Sequence, residues 1–302
     1  MAPRGCQGLA VAGAVRDDVT DVQMRVRSAL FTPGTEAARL RKAVSAGADV
    51  CIFDLEDSVP AARLVEARRT VAEAIEELAG KTTIWVRVHP PAGHDMTLDL
   101  AALPLAKIDG IMLPKARHED DVSACHSAIV AARGSAHMPL IPIVESAMGV
   151  LNAAEIAAST AVYCLAIGRF DLSADIGIDP DAGSPALALA RGTVVLASAA
   201  ARIQPPLDSP WLKIKDMDGL RATAQRGRAD GFGGMMLIHP AHVEVVNAVF
   251  SPTPEEIAWA GEVLQSAEVA TAGGQGAYAL NGQMVDEAVV KRARSIMQAQ
   301  ER

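Results

Sequence analysis

The sequence has few aromatic residues and few cysteines. Aromatic residues make up 3% of the 302-residue chain although hydrophobic residues make up 50%, so we expect a core of Ala, Val, Leu and Ile, which is typical of α/β enzymes. The cysteines show no C-x-x-C spacing, which argues against a disulfide framework or a zinc site and favours reduced core residues in the cytoplasm. They are Cys6, Cys51, Cys125 and Cys164.

Long apolar runs and basic clusters are also missing. Every apolar run is shorter than the ~18 residues that a membrane span requires, so we expect no membrane association. The run Leu9–Val15 is short and leads into Asp17 and Asp18, so we do not expect a signal peptide. A net charge of −8 without a basic block argues against a nucleic-acid partner.

What the sequence does contain is a regular alternation of strand-like and helix-like segments, with no internal repeat. This strict alternation predicts right-handed crossovers and an α/β fold, a closed (β/α)8 TIM barrel over residues 25–250. The seventh strand is the weakest candidate. The predicted strands are Ser28–Phe31, Val50–Phe53, Thr83–Val88, Gly110–Leu113, Leu140–Val144, Val162–Ile167, Gln204–Asp208 and Met235–Ile238.

The two ends of the chain lie outside these eight units. Residues 1–24 show no periodicity, and we expect them to form a disordered extension. In the tail, residues 251–302, Thr253 is a candidate N-cap of a helix, the Asn281-Gly282 pair predicts a short hairpin, and Glu287–Gln298 reads as a final helix. The tail is therefore either a dimerisation arm or a lid.

Acidic residues follow two successive predicted strands. Glu145 directly follows the fifth strand, and Asp171 follows the sixth after a Gly168-Arg169-Phe170 turn, with one helix between the two strands. Barrel active sites form at the carboxyl ends of the strands. Either acid alone could be a helix N-cap, but two in consecutive units favour a metal site. Carboxylate ligands suit Mg²⁺ or Mn²⁺, whereas zinc prefers His or Cys.

Further charged residues end other strands. Arg87 lies near the end of the third strand and could bind an oxyanion of a hydroxy or keto acid held by the metal. Asp54 and Glu56 are candidate substrate-binding residues. For them and for Asp57, the stronger explanation is that one of the three caps the following helix and another pairs with Arg87 or Lys115.

Two other residues at strand ends have less specific interpretations. Lys115 follows the fourth strand and could form a Schiff base. A metal held by Glu145 and Asp171 would already activate a carbonyl group and would make a second activating group redundant. We therefore expect Lys115 to have an electrostatic or structural role. His239 precedes Pro240, and we interpret it as a packed or hydrogen-bonded residue.

Several segments, in chain order, resemble the HpcH/HpaI aldolase/citrate lyase family, in particular the branch named for the citrate lyase beta subunit. The tail segments A-V-F-S-P-T-P-E-E-I-A-W-A and N-G-Q-M-V-D resemble that branch too, so the resemblance spans residues 27–298. The barrel segments are S-A-L-F-T-P-G, G-A-D-V-C-I-F-D-L-E-D-S-V, V-R-V, D-G-I-M-L-P-K, I-V-E-S-A-M-G, I-G-R-F-D-L-S-A-D-I-G and G-G-M-M-L-I-H-P.

This resemblance implies a Mg²⁺-dependent lyase that cleaves or forms a carbon–carbon bond in a 3-hydroxy acyl thioester of the malyl-, citramalyl- or citryl-CoA type. Glu145 and Asp171 fall on the family's metal ligands, and Arg87 falls on its substrate-binding arginine. The reaction would pass through an enolate stabilised by the metal and Arg87. Family members are commonly trimers in which the aspartate of M-V-D, here Asp286, reaches a neighbouring subunit's site as acid/base. The tail would then be both a lid and an oligomerisation segment.

Three positions depart from the family pattern and leave the substrate open. Met148 stands where many members have arginine, His89 where asparagine is frequent, and Arg169-Phe170 where a small residue and an acid are frequent. One alternative is a class II pyruvate aldolase that acts on an acid without CoA. The alternative from another class is a non-catalytic barrel that binds CoA or another ligand.

Overall fold

The fold is a closed barrel of parallel strands. A computed structural model describes residues 25–133, 138–272 and 276–300, so the expected extension over residues 1–24 lies outside the described residues. Each barrel strand pairs with the next along the chain, and β1 closes the ring by pairing with β8, Ser28 opposite Met235. The strands are β1 Ser28–Pro33, β2 Val50–Asp54, β3 Ile84–Arg87, β4 Gly110–Leu113, β5 Leu140–Val144, β6 Cys164–Ile167, β7 Gln204–Asp208 and β8 Gly234–Leu237.

The prediction of a (β/α)8 barrel is therefore confirmed, including its weakest strand, β7. Strand limits differ slightly, because β1 continues to Pro33 and β6 begins only at Cys164. The α-helices of the described part of the chain are α1 Ala37–Val44, α2 Leu64–Leu78, α3 Asp95–Ala102, α4 Glu119–Arg133, α5 Ala147–Leu151, α6 Ala153–Ala158, α7 Arg169–Asp175, α8 Pro185–Ala200, α9 Met217–Asp230, α10 Val243–Phe250, α11 Pro254–Ala272 and α12 Glu287–Gln300.

Two local predictions around the acidic pair were wrong. The single helix expected between β5 and β6 is two short helices, α5 and α6, separated at Asn152. The Asn152 side chain donates a hydrogen bond to the carbonyl of Arg117, 2.8 Å away, which ties this break to the preceding loop. The segment Gly168-Arg169-Phe170 is not a free turn, because α7 begins at Arg169 directly after Gly168.

Two apolar layers support the barrel. The strand side chains that point outwards pack against the surrounding helices, and those that point inwards form a separate cluster inside the barrel. Trp85 is the largest side chain of the inner cluster. It fits only because Gly110 on the neighbouring strand has no side chain, since a Cβ there would lie 2.5 Å from the indole ring. The barrel interior is thus filled by side chains below the cavity at the carboxyl ends of the strands.

The tail packs as a unit with its own small core. Helices α11 and α12 pack against each other and against the hairpin of β9 (Tyr278–Leu280) and β10 (Gln283–Val285). Thr253 caps α11 as expected: the Glu256 amide donates to Thr253 Oγ1 at 3.2 Å, and Glu256 Oε2 accepts from the Thr253 amide at 2.9 Å. Within the three described ranges, no helix is both long and apolar enough to cross a membrane.

Candidate active site

Two carboxylates and one arginine share a cavity at the carboxyl ends of the strands. The cavity has a volume of about 280 Å³ and is lined in part by Arg87, Glu145 and Asp171. Glu145 directly follows β5 and is only 7% exposed, whereas Asp171, in the first turn of α7, is exposed. The structure therefore brings together the two residues that the sequence predicts as a metal pair.

The Glu145 carboxylate is buried, and its surroundings do little to offset the cost of burying its charge. Its Oε1 accepts a hydrogen bond of 2.7 Å from the backbone amide of Lys115. Burial is the main reason that the pKa of Glu145 is raised to about 8; the hydrogen bond from the Lys115 amide lowers this pKa, and the nearby charge of Asp171 raises it. Such a carboxyl holds its proton unless a cation replaces it, which is the behaviour expected of a ligand for a divalent metal.

Gly168 creates the space that Glu145 occupies. A Cβ at residue 168 would lie 2.5 Å from Glu145 Oε2 and 2.6 Å from Glu145 Cβ. The Gly168 amide donates to the carbonyl of Val144 at 3.0 Å, so β6 passes close beside the end of β5. The close approach of these two strand ends is what sets Glu145 and Asp171 side by side.

Arg87 is held by a forked ion pair with Asp54. Its Nε and Nη2 donate to the two oxygens of Asp54 at 2.6 and 2.7 Å, and its guanidinium lies 4.8 Å from the ring centre of Phe31. Burial alone would raise the pKa of Asp54, but Arg87 holds it below its usual value. Conversely, burial would lower the pKa of Arg87, and Asp54 raises it above its usual value. Arg87 is therefore permanently charged and fixed in orientation.

Glu56 and Asp57 surround the other edge of Arg87. Arg87 Nη1 lies 3.2 Å from Glu56 Oε2 and 3.5 Å from Asp57 Oδ2. Lys115 Nζ forms an ion pair with Glu56 and lies 3.5 Å from Asp57 Oδ1. The backbone of Lys115 has a φ of 56°, a left-handed conformation that directs its amide towards Glu145. Lys115 is thus placed for the electrostatic role expected from the sequence.

The donor set suits a hard divalent cation. Among the described residues, no group of three or more His, Cys, Asp or Glu side chains is arranged to hold a metal ion. Mg²⁺ is commonly bound by one or two carboxylates and keeps its other positions for water and substrate oxygens. Glu145 and Asp171 meet that requirement, and the buried Glu145 carboxyl, which keeps its proton without a cation, is the feature that fits the ion.

Part of the cavity wall is apolar. It is formed by the side chains of Phe31, Pro33, Ile143, Phe170, Pro210, Met236 and Ile238. The Arg169 guanidinium packs 4.5 Å from the centre of the Phe170 ring. A molecule bound in this cavity would therefore contact both charged groups and hydrocarbon.

The remaining predicted residues take other positions. Met148 lies on α5 and is 49% exposed. His239 Nδ1 accepts from the amide of Ala241 at 3.2 Å, in keeping with its interpretation as a hydrogen-bonded residue. Asp286 caps α12, since its Oδ1 accepts from the amides of Ala288 and Val289 at 3.0 and 3.1 Å. Within a single chain, Asp286 is not among the residues that line the cavity.

Two arrangements near the site were not predicted. His89 Nδ1 lies 2.7 Å from Asp99 Oδ2, and Asp99 Oδ1 accepts from Arg68 Nε at 2.7 Å. The hydrogen bond to Asp99 raises the pKa of His89. Ser209 follows β7 and contacts the end of β6. The sequence feature that could have pointed to Ser209 was the polar Asp208-Ser209 pair at the end of the weakest predicted strand.

Comparison with known proteins finds a matching family model and similar proteins. The family model described as HpcH/HpaI aldolase/citrate lyase matches residues 27–240. A (3S)-malyl-CoA thioesterase of Cereibacter sphaeroides is 35% identical over 272 residues, which cover 90% of this chain and 93% of that protein. The citrate lyase subunit beta of Leuconostoc mesenteroides subsp. cremoris is 34% identical over 280 residues, 90% of this chain and 92% of that protein.

A solved structure matches as well. Protein CitE of Mycobacterium tuberculosis, in complex with magnesium, acetoacetate and coenzyme A, has a TM-score of 0.75 to this chain at 31% sequence identity. The match covers 92% of this chain and 99% of that one.

Proposed function

Because the chain belongs to the HpcH/HpaI aldolase/citrate lyase family, we propose that it is a Mg²⁺-dependent carbon–carbon lyase acting on a 3-hydroxy acyl thioester of the malyl-, citramalyl- or citryl-CoA type. The observation that carries the proposal is the cavity shared by buried Glu145, Asp171 and Arg87. Two relatives support this choice, because the CitE structure is a complex with magnesium and coenzyme A and the thioesterase is named for malyl-CoA.

The chain's own residues have distinct tasks in such a reaction. When bound by Glu145 and Asp171, Mg²⁺ supplies Lewis-acid polarisation of substrate oxygens. Arg87 donates hydrogen bonds to an oxygen on which negative charge develops, and Asp54 fixes its orientation so that no reorganisation is needed during the reaction. Glu56 lies beside Arg87 and Lys115, and burial raises its pKa in spite of their charges. We assign Asp54 and Glu56 to the substrate-binding side of the cavity.

Cleavage also requires proton transfer at two positions. The 3-hydroxyl group loses its proton, the bond between C2 and C3 breaks to leave a carbonyl product, and the acetyl carbon gains a proton. We propose that Asp286 carries out acid/base transfer in the site of a neighbouring subunit of a homotrimer, with residues 251–302 as lid and oligomerisation segment. The Asp286 carboxylate stands at the start of α12 beside the exposed hairpin of β9 and β10, which supports this assignment.

The shared site has a direct test. Asp286→Asn keeps an oxygen that can cap α12 but removes the acid. Glu145→Gln keeps Asp286 and removes a metal ligand. Each variant alone should be inactive, and hetero-oligomers formed by mixing the two should recover part of the activity, because some sites then contain both native groups. If mixed oligomers remain inactive while each variant stays folded, Asp286 does not act across subunits.

A second candidate function is hydrolysis of the same thioester. The name of the Cereibacter sphaeroides relative, (3S)-malyl-CoA thioesterase, favours it. The two functions differ in their products: carbon–carbon cleavage of malyl-CoA yields acetyl-CoA and glyoxylate, whereas hydrolysis yields malate and free CoA. Mass spectrometry of products formed with Mg²⁺ and with a chelator distinguishes them. Absence of Mg²⁺-dependent acetyl-CoA release from malyl-, citramalyl- and citryl-CoA would contradict the lyase proposal.

We also propose a cytoplasmic location. Cys51, Cys125 and Cys164 are free and buried, and thiols kept in this state are typical of proteins from reducing compartments.

A further inference from the structure

Ser209 joins two segments that flank the metal pair. It directly follows β7 and is 2% exposed. Its hydroxyl donates a hydrogen bond to the carbonyl of Ile167 at 2.5 Å and accepts one from the amide of Arg169 at 2.8 Å. Ile167 is the last residue of β6, and Arg169 is the first residue of α7. One side chain thus spans Gly168 and fixes the angle at which α7 leaves the strand.

This contact occurs where the sheet itself gives less support. The register between β6 and β7 shifts between Cys164 and Ala166, and the last paired residues are Ala166 and Leu207. On the other side, the Gly168 amide is held by the carbonyl of Val144 at 3.0 Å. The junction between β6 and α7 is therefore anchored to β5 by a backbone hydrogen bond and to β7 by the Ser209 hydroxyl.

Ser209 is itself held in place by an ion-pair network. Its amide donates to Asp208 Oδ1 at 2.8 Å, and the same oxygen accepts from Arg191 Nη1 at 2.5 Å. Arg191 also pairs with Asp230 at 2.9 Å and packs its guanidinium 4.6 Å from the ring centre of Phe232. Residues from α8 and α9 thus fix the end of β7, and Ser209 transmits that position to α7.

We propose that Ser209 is a positioning residue that places Asp171 opposite Glu145 and thereby sets the affinity of the site for a divalent cation. Asp171 lies two residues after the amide that Ser209 holds, within the first turn of α7. Glu145, by contrast, is fixed by the Lys115 amide and by the wall at Gly168. The distance between the two carboxylates therefore depends on how α7 is anchored. This inference depends on the proposed metal site.

The test compares two serine-to-alanine changes of equal burial. Ser209→Ala removes the hydroxyl and with it the hydrogen bonds to the Ile167 carbonyl and from the Arg169 amide. Ser198→Ala is the matched control, because Ser198 is 1% exposed and its hydroxyl donates to the carbonyl of Val194 at 2.9 Å within α8, away from the cavity. Ser209→Thr retains a hydroxyl. Titration calorimetry of Mg²⁺ and of Mn²⁺ into each purified, metal-free protein gives the dissociation constants, and thermal unfolding gives the stabilities.

We expect Ser209→Ala to weaken Mg²⁺ binding by about 10-fold to 100-fold, the range found when groups that orient metal ligands are removed. Ser198→Ala should bind Mg²⁺ as the wild type does, even where both variants lose similar thermal stability, and Ser209→Thr should bind more tightly than Ser209→Ala. Wild-type affinity in a folded Ser209→Ala, or equal weakening in both alanine variants, would overturn the positioning role. A wild-type protein that binds neither cation would instead refute the proposed metal site.

Discussion

Replacement of Gly168 by alanine adds one methyl group at the point where β6 passes the metal pair. The backbone of Gly168 has φ −97° and ψ 84°, a φ that alanine can also adopt, so the effect comes from the new Cβ alone. That atom would lie 2.6 Å from Glu145 Cβ, whereas carbon atoms in contact are about 3.5–4.0 Å apart. The two strand ends must therefore separate by about 1 Å, because Glu145 Cβ cannot move away by side-chain rotation.

Gly168→Ala should therefore affect metal binding more than folding. Overpacking of this kind costs about 1–3 kcal/mol of unfolding free energy. Metal–ligand distances tolerate changes of only about 0.2 Å, so a 1 Å displacement of Glu145 should lower Mg²⁺ affinity by at least about 10-fold. Gly192→Ala is the control, because a Cβ there meets no atom within 4 Å and alanine is the better helix former. Calorimetry that gives wild-type Mg²⁺ affinity for Gly168→Ala would refute the reasoning.

Three further predictions concern the same cavity. Because burial raises the pKa of Glu145 to about 8, its proton stabilises the metal-free folded chain at low pH, and that contribution should be lost as the pH rises from about 5 to 8. Thermal unfolding temperatures measured against pH should show this loss of stability in the metal-free wild type and a smaller loss with Mg²⁺. In Glu145→Gln, the unfolding temperature should change less with pH. Arg87→Lys keeps the charge but not the fork to Asp54, so kcat should fall by about 10²–10³ while calorimetric Mg²⁺ affinity stays within a few-fold. Phe170→Ala removes part of the apolar wall and should raise KM for the thioester roughly 10-fold without weakening Mg²⁺ binding.

The sequence was sufficient to predict the parts of the site that depend on strand periodicity. A buried parallel strand ends in a residue at the carboxyl face of the barrel, so Arg87 and Glu145 could be placed from the apolar runs before them. Local signals also sufficed for the cap at Thr253 and for the hairpin at Asn281-Gly282, because each of these structures is specified by neighbouring residues.

Contacts between distant segments could not be predicted in this way. Ser209 and Ile167 are 42 residues apart, and their hydrogen bond depends on the register shift between β6 and β7. The start of α7 was missed because Gly168 reads as a turn residue, whereas it serves here as the residue before the helix. Asp286 does not line the cavity of its own chain, so its role in the site of a neighbouring subunit stays a prediction.

The forked ion pair between Arg87 and Asp54 could be predicted only in part from the sequence. The sequence suggested that one of the acids of the Asp54-Leu55-Glu56-Asp57 segment pairs with Arg87 or Lys115, and could not decide which. The register decides it: Asp54 stands opposite Arg87 in the pairing of β2 with β3. Lys115, which follows β4, reaches Glu56 and Asp57 instead. Strand pairing thus explains the fork between Arg87 and Asp54, whereas Glu56 and Asp57 are shared by Arg87 and Lys115.

The central claim is that Glu145 and Asp171 hold the Mg²⁺ on which carbon–carbon cleavage depends. The most direct test is the rate of acetyl-CoA release from the thioester that the wild type cleaves, measured against Mg²⁺ concentration for the wild type and for Glu145→Gln. We predict that the wild-type rate rises from near zero in chelator to a plateau, and that the variant stays near zero throughout. Equal acetyl-CoA release in chelator and in Mg²⁺, or a variant with the wild-type Mg²⁺ dependence, would contradict the claim.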